Sequence, residues 1–143
     1  MLESGKWYVV KGNVTFNNRI ENNAAKDTPA HMILTDGHTL TAKGGIHCAF
    51  GRGLVIYGQT AGTGWLNIPQ LQVDVLEDSA GIGGDKDESG GSIIINGGTV
   101  SVSGGETGGA GIGGGSGATL ENLIVNGGTV TASGGDRASG IGG

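Results

Sequence analysis

The feature that most constrains this chain is a 30-residue repeat in its second half. The segment Ala80-Gly81-Ile82-Gly83-Gly84 returns as Ala110-Gly111-Ile112-Gly113-Gly114, at an interval of 30 residues (110 − 80). Residues 95–100 return with one substitution as residues 125–130, at the same interval (125 − 95). A fixed period of this length, with short β-branched runs between glycines, is typical of a solenoid in which each repeat forms one turn.

Each repeat contains three candidate strands. The first is a β-branched run such as Ile93-Ile94-Ile95, and the Asn-Gly pair after it favours a tight corner. The second alternates as Thr99-Val100-Ser101-Val102, which predicts one buried and one solvent-facing side. The third carries an isoleucine beside glycines. The predicted inward positions of the second strand form two columns: Leu40, Leu66, Val100 and Val130; Ala42, Ile68, Val102 and Ala132. The isoleucines of the third strand are Ile46, Ile82, Ile112 and Ile141.

These patterns predict an all-β fold, a right-handed parallel β-helix (β-solenoid) with about three short strands per turn and about four to five rungs. A β-sandwich is the alternative, but it leaves the strict repeat unexplained. We expect a single domain over residues 1–143, as a fragment of a longer array, with an edge strand or an N-terminal cap at 1–12 and regular repeats at 80–143. Residues 69–79 are expected to be an insertion, as a protruding loop or an extra strand that covers the outer side of Ile93-Ile94-Ile95.

Composition excludes several classes of protein. The net charge is −5 with only 8 Lys and Arg residues, which argues against binding nucleic acid or anionic membranes. No run of about 20 apolar residues exists, so we expect no membrane insertion. With 33 glycines but only 2 prolines and no Gly-X-Y period, the chain is not collagen-like. The lone Cys48 lies in an apolar run and is expected to be a buried small residue.

Two motifs carry a resemblance to a known group of proteins. Asn-Gly-Gly-Thr-Val-x-x-x-Gly-Gly and Ala-Gly-Ile-Gly-Gly together resemble the Gly-rich β-helical repeats of large surface or secreted proteins of gut bacteria, regions often labelled carbohydrate-binding-like. The resemblance covers residues 80–143, with 7–68 as degenerate leading rungs, and the insertion departs from it. It implies a non-catalytic, glycan-binding or adhesive module located outside the cell or on its surface. No charged-then-apolar leader opens the sequence, so we expect an export signal to lie outside it.

Two groups of residues are candidate binding sites. Large aromatic side chains beside amides can stack on sugar rings, which makes carbohydrate the expected ligand of one group: Trp65, Tyr57, Asn67 and Gln59. Oxygen ligands in a flexible loop suit Ca²⁺, the one cofactor that the sequence suggests. The expected calcium ligands are Asp85, Asp87 and Glu88, which follow the acidic residues Asp74, Glu77 and Asp78. A solvated acidic loop is the alternative.

Other functions remain as alternatives. The chain could be a purely structural stalk, a fragment of a polysaccharide-active enzyme, or an ice-binding solenoid with threonine files. The enzyme is disfavoured because no carboxylate pair repeats along a strand face. The histidines have no His-x-x-x-His spacing, so no metal site is predicted from them, and His31 and His38 are expected to face solvent. Because the chain stops inside its motif at Gly140-Ile141-Gly142-Gly143, self-association through an open C-terminal rung is also expected.

Overall fold

The chain forms three parallel sheets that wind around one core. A computed structural model describes residues 1–71 and 76–143, and within them it has fifteen strands and three sheets of five strands each. Successive strands along the chain enter different sheets, and every third strand returns to the same sheet one turn further on. The architecture is the predicted right-handed parallel β-helix, and it has five turns. Within the same residues, no helix is long and apolar enough to cross a membrane.

Each sheet collects one strand from every turn. The strands of the first sheet are β1 Trp7–Val10, β4 Ala30–Leu34, β7 Gly53–Gly58, β10 Gly90–Ile95 and β13 Leu120–Val125. Those of the second sheet are β2 Val14–Phe16, β5 Thr39–Ala42, β8 Trp65–Ile68, β11 Thr99–Ser103 and β14 Thr129–Ser133. Those of the third sheet are β3 Ile20–Glu21, β6 Ile46–His47, β9 Ile82–Gly83, β12 Ile112–Gly113 and β15 Ile141–Gly142.

The strand register confirms the predicted inward columns of the second sheet and shows a further column of isoleucines in the third sheet. Leu40, Leu66, Val100 and Val130 lie side by side on successive strands of the second sheet, and Val14 extends their column into the first turn. The isoleucine column of the third sheet likewise gains Ile20. The middle members are fully buried, whereas Val130 is half-buried and Ile141 is exposed on the last turn. Stacked aliphatic side chains therefore fill the interior of the middle turns.

Glycine is required at the third strand because adjacent turns approach closely there. Gly83 has a φ of +142°, and a Cβ atom at this position would overlap the carbonyl oxygen of Gly113 one turn further on. Gly113 has a φ of +156° and meets Gly142 in the same way. In the repeated Ile-Gly-Gly motif, the isoleucine side chain is therefore buried, and the following residue must be glycine because the adjacent turn leaves no room for a Cβ atom.

Polar side chains form ladders on the outside of the regular turns. The Asn126 side-chain amide donates a hydrogen bond to Asn96 Oδ1 at 2.8 Å, across one 30-residue interval. Asn122 Nδ2 donates to Ser92 Oγ at 3.3 Å across the same interval. Polar residues one repeat apart therefore bond to each other between turns.

The described ends of the insertion are anchored in the fold. Leu71 is fully buried and Leu76 nearly so, and both belong to the hydrophobic core. Leu71 also makes a parallel bridge to Gly105, whose N–H donates to Ser79 O at 2.8 Å. These contacts hold the ends of the insertion against the corner after β11.

The expectation that the insertion covers the outer side of Ile94 is wrong for its described ends. They pack against the corner between the second and third sheets, whereas Ile94 lies in the first sheet. Leu71 and Leu76 turn inward because burying large aliphatic side chains against the core is favourable. The question of a loop or an extra strand falls on residues 72–75, which lie outside the described residues.

Candidate functional site

The outer face of the second sheet presents one aromatic ring among polar side chains. Trp65 is 42% exposed and lies in register between Thr39 and Thr99 of the neighbouring turns. Asn67 projects from the same strand on the same side, two residues further along. Its neighbours in register are Thr41 and Ser101. The surface is therefore a regular array of hydroxyl and amide groups with an indole ring at its centre.

The two other residues expected to contact glycans lie elsewhere. Tyr57 is in the first sheet and stacks on Trp7, with 5.2 Å between the ring centroids. Gln59 lies in the corner after β7, where its Oε1 atom accepts a hydrogen bond from the Asp36 N–H at 2.8 Å. The structure thus keeps Trp65 and Asn67 together and separates Tyr57 and Gln59 from them.

A second aromatic group lies on the outer face of the first sheet. Trp7 stacks face to face on His31, with 4.2 Å between the ring centroids and 10° between the ring planes. His31 Nδ1 is also 3.1 Å from the Tyr57 hydroxyl oxygen. Trp7 remains 57% exposed, but His31 is half-buried by its neighbours. The expectation that His31 simply faces solvent is wrong, because the parallel register places an aromatic ring on the turn before it.

A charged cluster crosses the first three turns on the third sheet. His47 Nδ1 lies 2.7 Å from Glu21 Oε2, and Glu21 is its register partner on the first turn. His47 Nε2 lies 2.7 Å from Glu88 Oε2 and 4.0 Å from Asp85 Oδ2. Gly83 is the register partner of His47 on the third turn, so it leaves room for the two carboxylates of the next corner to reach back. The imidazole is thus surrounded by three carboxylates.

Arg19 closes this cluster from the inside. Its side chain is only 8% exposed, and its Nε atom lies 3.0 Å from Asp85 Oδ1. Its terminal nitrogens donate to Gly44 O at 2.8 Å and to Ala80 O at 3.1 Å. Burial lowers the pKa of the Arg19 guanidinium, and the nearby acidic residues, led by Asp85, act in the opposite direction. Arg19 remains charged, because an arginine guanidinium is not deprotonated in proteins.

The pKa values in this cluster follow from its geometry. Burial by itself would lower the pKa of His47, but the hydrogen bonds to Glu88 and Glu21 outweigh it, so the pKa is raised. Burial by itself would raise the pKa of Glu88, but the His47 contact and the Asp85 N–H outweigh it, so the pKa is lowered. Both shifts favour the charged forms, so the His47 imidazolium and the Glu88 carboxylate form an ion pair.

The predicted calcium ligands are only partly brought together. Asp85 and Glu88 face His47, and the ligand atoms of these three residues all lie within 4.8 Å of one another. Asp87 is not in that group and has a positive φ of 60° in the turn. The neighbouring Asp78 contacts Lys86 Nζ at 3.0 Å.

The remaining acidic residues lie apart from this group. Glu77 accepts a backbone hydrogen bond from Thr107 through its carbonyl oxygen, and Asp74 lies outside the described residues. The sequence did not indicate His47 as a member, because its partners Glu21 and Glu88 are 26 residues before it (47 − 21) and 41 after it (88 − 47).

Cys48 and a cavity at the first turn both have mostly apolar surroundings. The thiol is fully buried as expected, and burial raises its pKa to about 11, so it is not a reactive thiolate. Asn22, also buried, donates to Cys48 Sγ at 3.3 Å. A cavity of about 580 Å³ opens at the first turn, where Leu2, Val10 and Val14 are among its mostly apolar lining residues.

The parallel sheets define the chain as a β-helix protein. No protein-family model matches it, and neither a curated protein nor a solved structure is similar enough to indicate a relative.

Proposed function

We propose that this chain is a non-catalytic, glycan-binding or adhesive module of an exported bacterial surface protein, and that the outer face of the second sheet is its binding surface. The observation that carries the proposal is the 42% exposure of Trp65 in the middle of a polar array. A large aromatic ring left in water costs free energy unless it serves a contact. Sugar rings offer the matching chemistry, because they present C–H groups to a ring and hydroxyls to its polar neighbours.

The spacing of the array favours an extended chain of sugars. Neighbouring turns are about 4.8 Å apart along the axis, so hydroxyl and amide groups recur at a regular interval. Thr39, Asn67 and Thr99 surround the indole and can exchange hydrogen bonds with sugar hydroxyls on either side of it. The aromatic ring would bind one sugar unit and the flanking turns its neighbours.

The same geometry favours glycan binding over the other candidates. An ice-binding surface needs a flat file of threonines, and the projecting indole of Trp65 interrupts this one. A pure stalk gives no reason for an exposed tryptophan among hydroxyl groups. An enzyme that cleaves polysaccharides would need acid and base groups beside the bound sugar. The neighbours of Trp65 in register are threonines, which do not supply them.

A glycan array followed by titration of the best ligand tests the proposal. Trp65→Ala is expected to weaken binding by about 1–3 kcal/mol, the typical worth of a desolvated aromatic contact. Trp7→Ala is the matched control, because Trp7 is also an exposed tryptophan but lies on the first sheet. Equal losses in the two variants, or no binding to any glycan, would contradict the proposed surface. Release of reducing ends from acidic polysaccharides would contradict the non-catalytic assignment.

A further inference from the structure

The geometry points to a binding site for a zinc-class divalent cation, formed by His47 Nε2 and one carboxylate oxygen each of Asp85 and Glu88. The three ligand atoms lie within 4.8 Å of one another. In a tetrahedral zinc site with bonds near 2.0–2.2 Å, two ligand atoms lie about 3.3 Å apart. The observed 2.7 Å to Glu88 and 4.0 Å to Asp85 lie on either side of that value. Side-chain shifts of less than about 1 Å would complete the site.

Glu21 orients the His47 ring for metal binding through Nε2. Its carboxylate accepts the Nδ1–H of the imidazole at 2.7 Å, which leaves Nε2 directed at Glu88. A neutral imidazole held in this way would place the Nε2 lone pair against a carboxylate oxygen, and the two would repel. A positive charge must therefore lie between His47 and Glu88, either as a proton on Nε2 or as a metal ion. The carboxylate–histidine–metal arrangement is common in zinc proteins, where it fixes the ring and raises its basicity.

The charges around the site balance a divalent ion. Glu21, Asp85 and Glu88 carry three negative charges, and Arg19 supplies one positive charge. With His47 neutral the cluster has a net charge of −2, so a divalent cation neutralises it, whereas a proton leaves it at −1. Arg19 contacts Asp85 Oδ1 and leaves Oδ2 turned toward His47. The arginine therefore positions the aspartate without occupying the oxygen that would bind the metal.

The ligand set selects the class of metal. An imidazole nitrogen with two carboxylates suits zinc and neighbouring transition metals, whereas Ca²⁺ takes six to eight oxygen ligands. This set differs from the calcium ligands expected from sequence, because His47 takes the place of Asp87. Asp85 and Glu88 are half-exposed, so solvent can supply a fourth ligand and the ion has a path of entry. The site is on the third sheet, away from the surface around Trp65, and stands independently of glycan binding.

Metal titration of chelator-treated protein at neutral pH tests the site. Isothermal titration with zinc chloride is expected to show one ion per chain, and calcium chloride is expected to bind far more weakly. Glu21→Gln is expected to lower zinc affinity by about 10- to 100-fold through loss of its support of His47. His47→Gln and Glu88→Gln are expected to lower it at least as much. Asp87→Asn is the matched control, which removes an adjacent carboxylate outside the group and is expected to leave the affinity unchanged.

A measurement on the unaltered protein covers the case in which a variant fails to fold. In ¹⁵N spectra of the histidine rings, zinc is expected to shift the Nε2 signal of His47 and leave the signals of His31 and His38 in place. Unchanged His47 signals at zinc concentrations that saturate the protein would overturn the proposal. Equal zinc affinity in folded His47→Gln and in the original chain would also overturn it.

Discussion

Glu21 and His47 occupy the same register position on adjacent turns, and Glu21 Oε2 lies 2.7 Å from His47 Nδ1. On the third turn Gly83 takes that position, and Glu88 reaches back from the following corner to the other ring nitrogen, also at 2.7 Å. One imidazole thus connects carboxylates from the first and the third turn. The missing side chain of Gly83 makes the connection possible.

The stability of metal-free protein is expected to depend on the protonation of this cluster. The pKa of His47 is raised above 6.5, so its contribution to the free energy of unfolding is complete below pH 6.5 and is lost as the pH rises through the raised value. The pKa of Glu88 is lowered below 4.5, so its contribution is present above pH 4.5 and is lost as the pH falls through the lowered value. The cluster therefore stabilises the fold most between pH 4.5 and 6.5.

Thermal unfolding in the presence of a chelator measures this dependence. The melting temperature of the original chain is expected to fall more between about pH 6 and pH 9 than that of His47→Gln, which lacks the titrating ring. His38→Gln is the control, because His38 lies in the corner after β4, away from the cluster, and its variant should keep the original profile. Parallel pH profiles for the original chain and His47→Gln would show that the cluster does not couple to folding.

Truncations in the inward column of the second sheet are expected to rank by burial. Leu66→Ala removes a fully buried side chain and should cost about 2–5 kcal/mol of the free energy of unfolding, with Val100→Ala near the lower end. Val130→Ala should cost less than Val100→Ala, because the same side chain is half-buried on the last turn. Urea denaturation measures the free energy of unfolding of each variant for this comparison. A melting temperature unaffected by both Val100→Asp and Leu66→Asp would contradict the inward register.

Glycine substitutions are expected to separate steric overlap from backbone strain. Gly12→Ala introduces strain alone, since φ is +79° and nothing lies within 4 Å, and should cost about 1–2 kcal/mol. Gly83→Ala adds an overlap with the Gly113 carbonyl of the next turn, so it should cost clearly more or prevent folding. Chemical denaturation of both variants measures the two losses in the free energy of unfolding. Equal losses would mean that the turns can move apart at little cost.

The sequence predicted the strand register where the 30-residue repeat and the alternation of apolar and polar residues indicate the same inward positions. Val100 and Val130 share one position of the 30-residue repeat, and the strict alternation around them left only one register that buries both. The same alternation placed Trp65 and Asn67 together on the outer face, because two residues of a strand at i and i+2 point the same way.

The charged and aromatic clusters were not predicted because they depend on the register between irregular turns. Ile20 and Ile46 are register partners 26 residues apart (46 − 20), an interval that the 30-residue repeat does not reveal. An alignment of these two isoleucines would also have predicted that Glu21 lies beside His47. Glu88 belongs to a corner, and its approach to His47 depends on the path of that corner, which no periodic pattern encodes.

Arg19 also affects how the molecule would respond to a pull along its axis. Hydrogen bonds between turns run parallel to that axis, so tension would normally detach a parallel β-helix one turn at a time. The Arg19 guanidinium starts in the first turn and donates to Gly44 in the second and Ala80 in the third. The first turn is therefore held by two turns instead of one, and releasing it requires breaking contacts beyond its neighbour. Under tension, the first three turns are therefore expected to separate together and not one at a time.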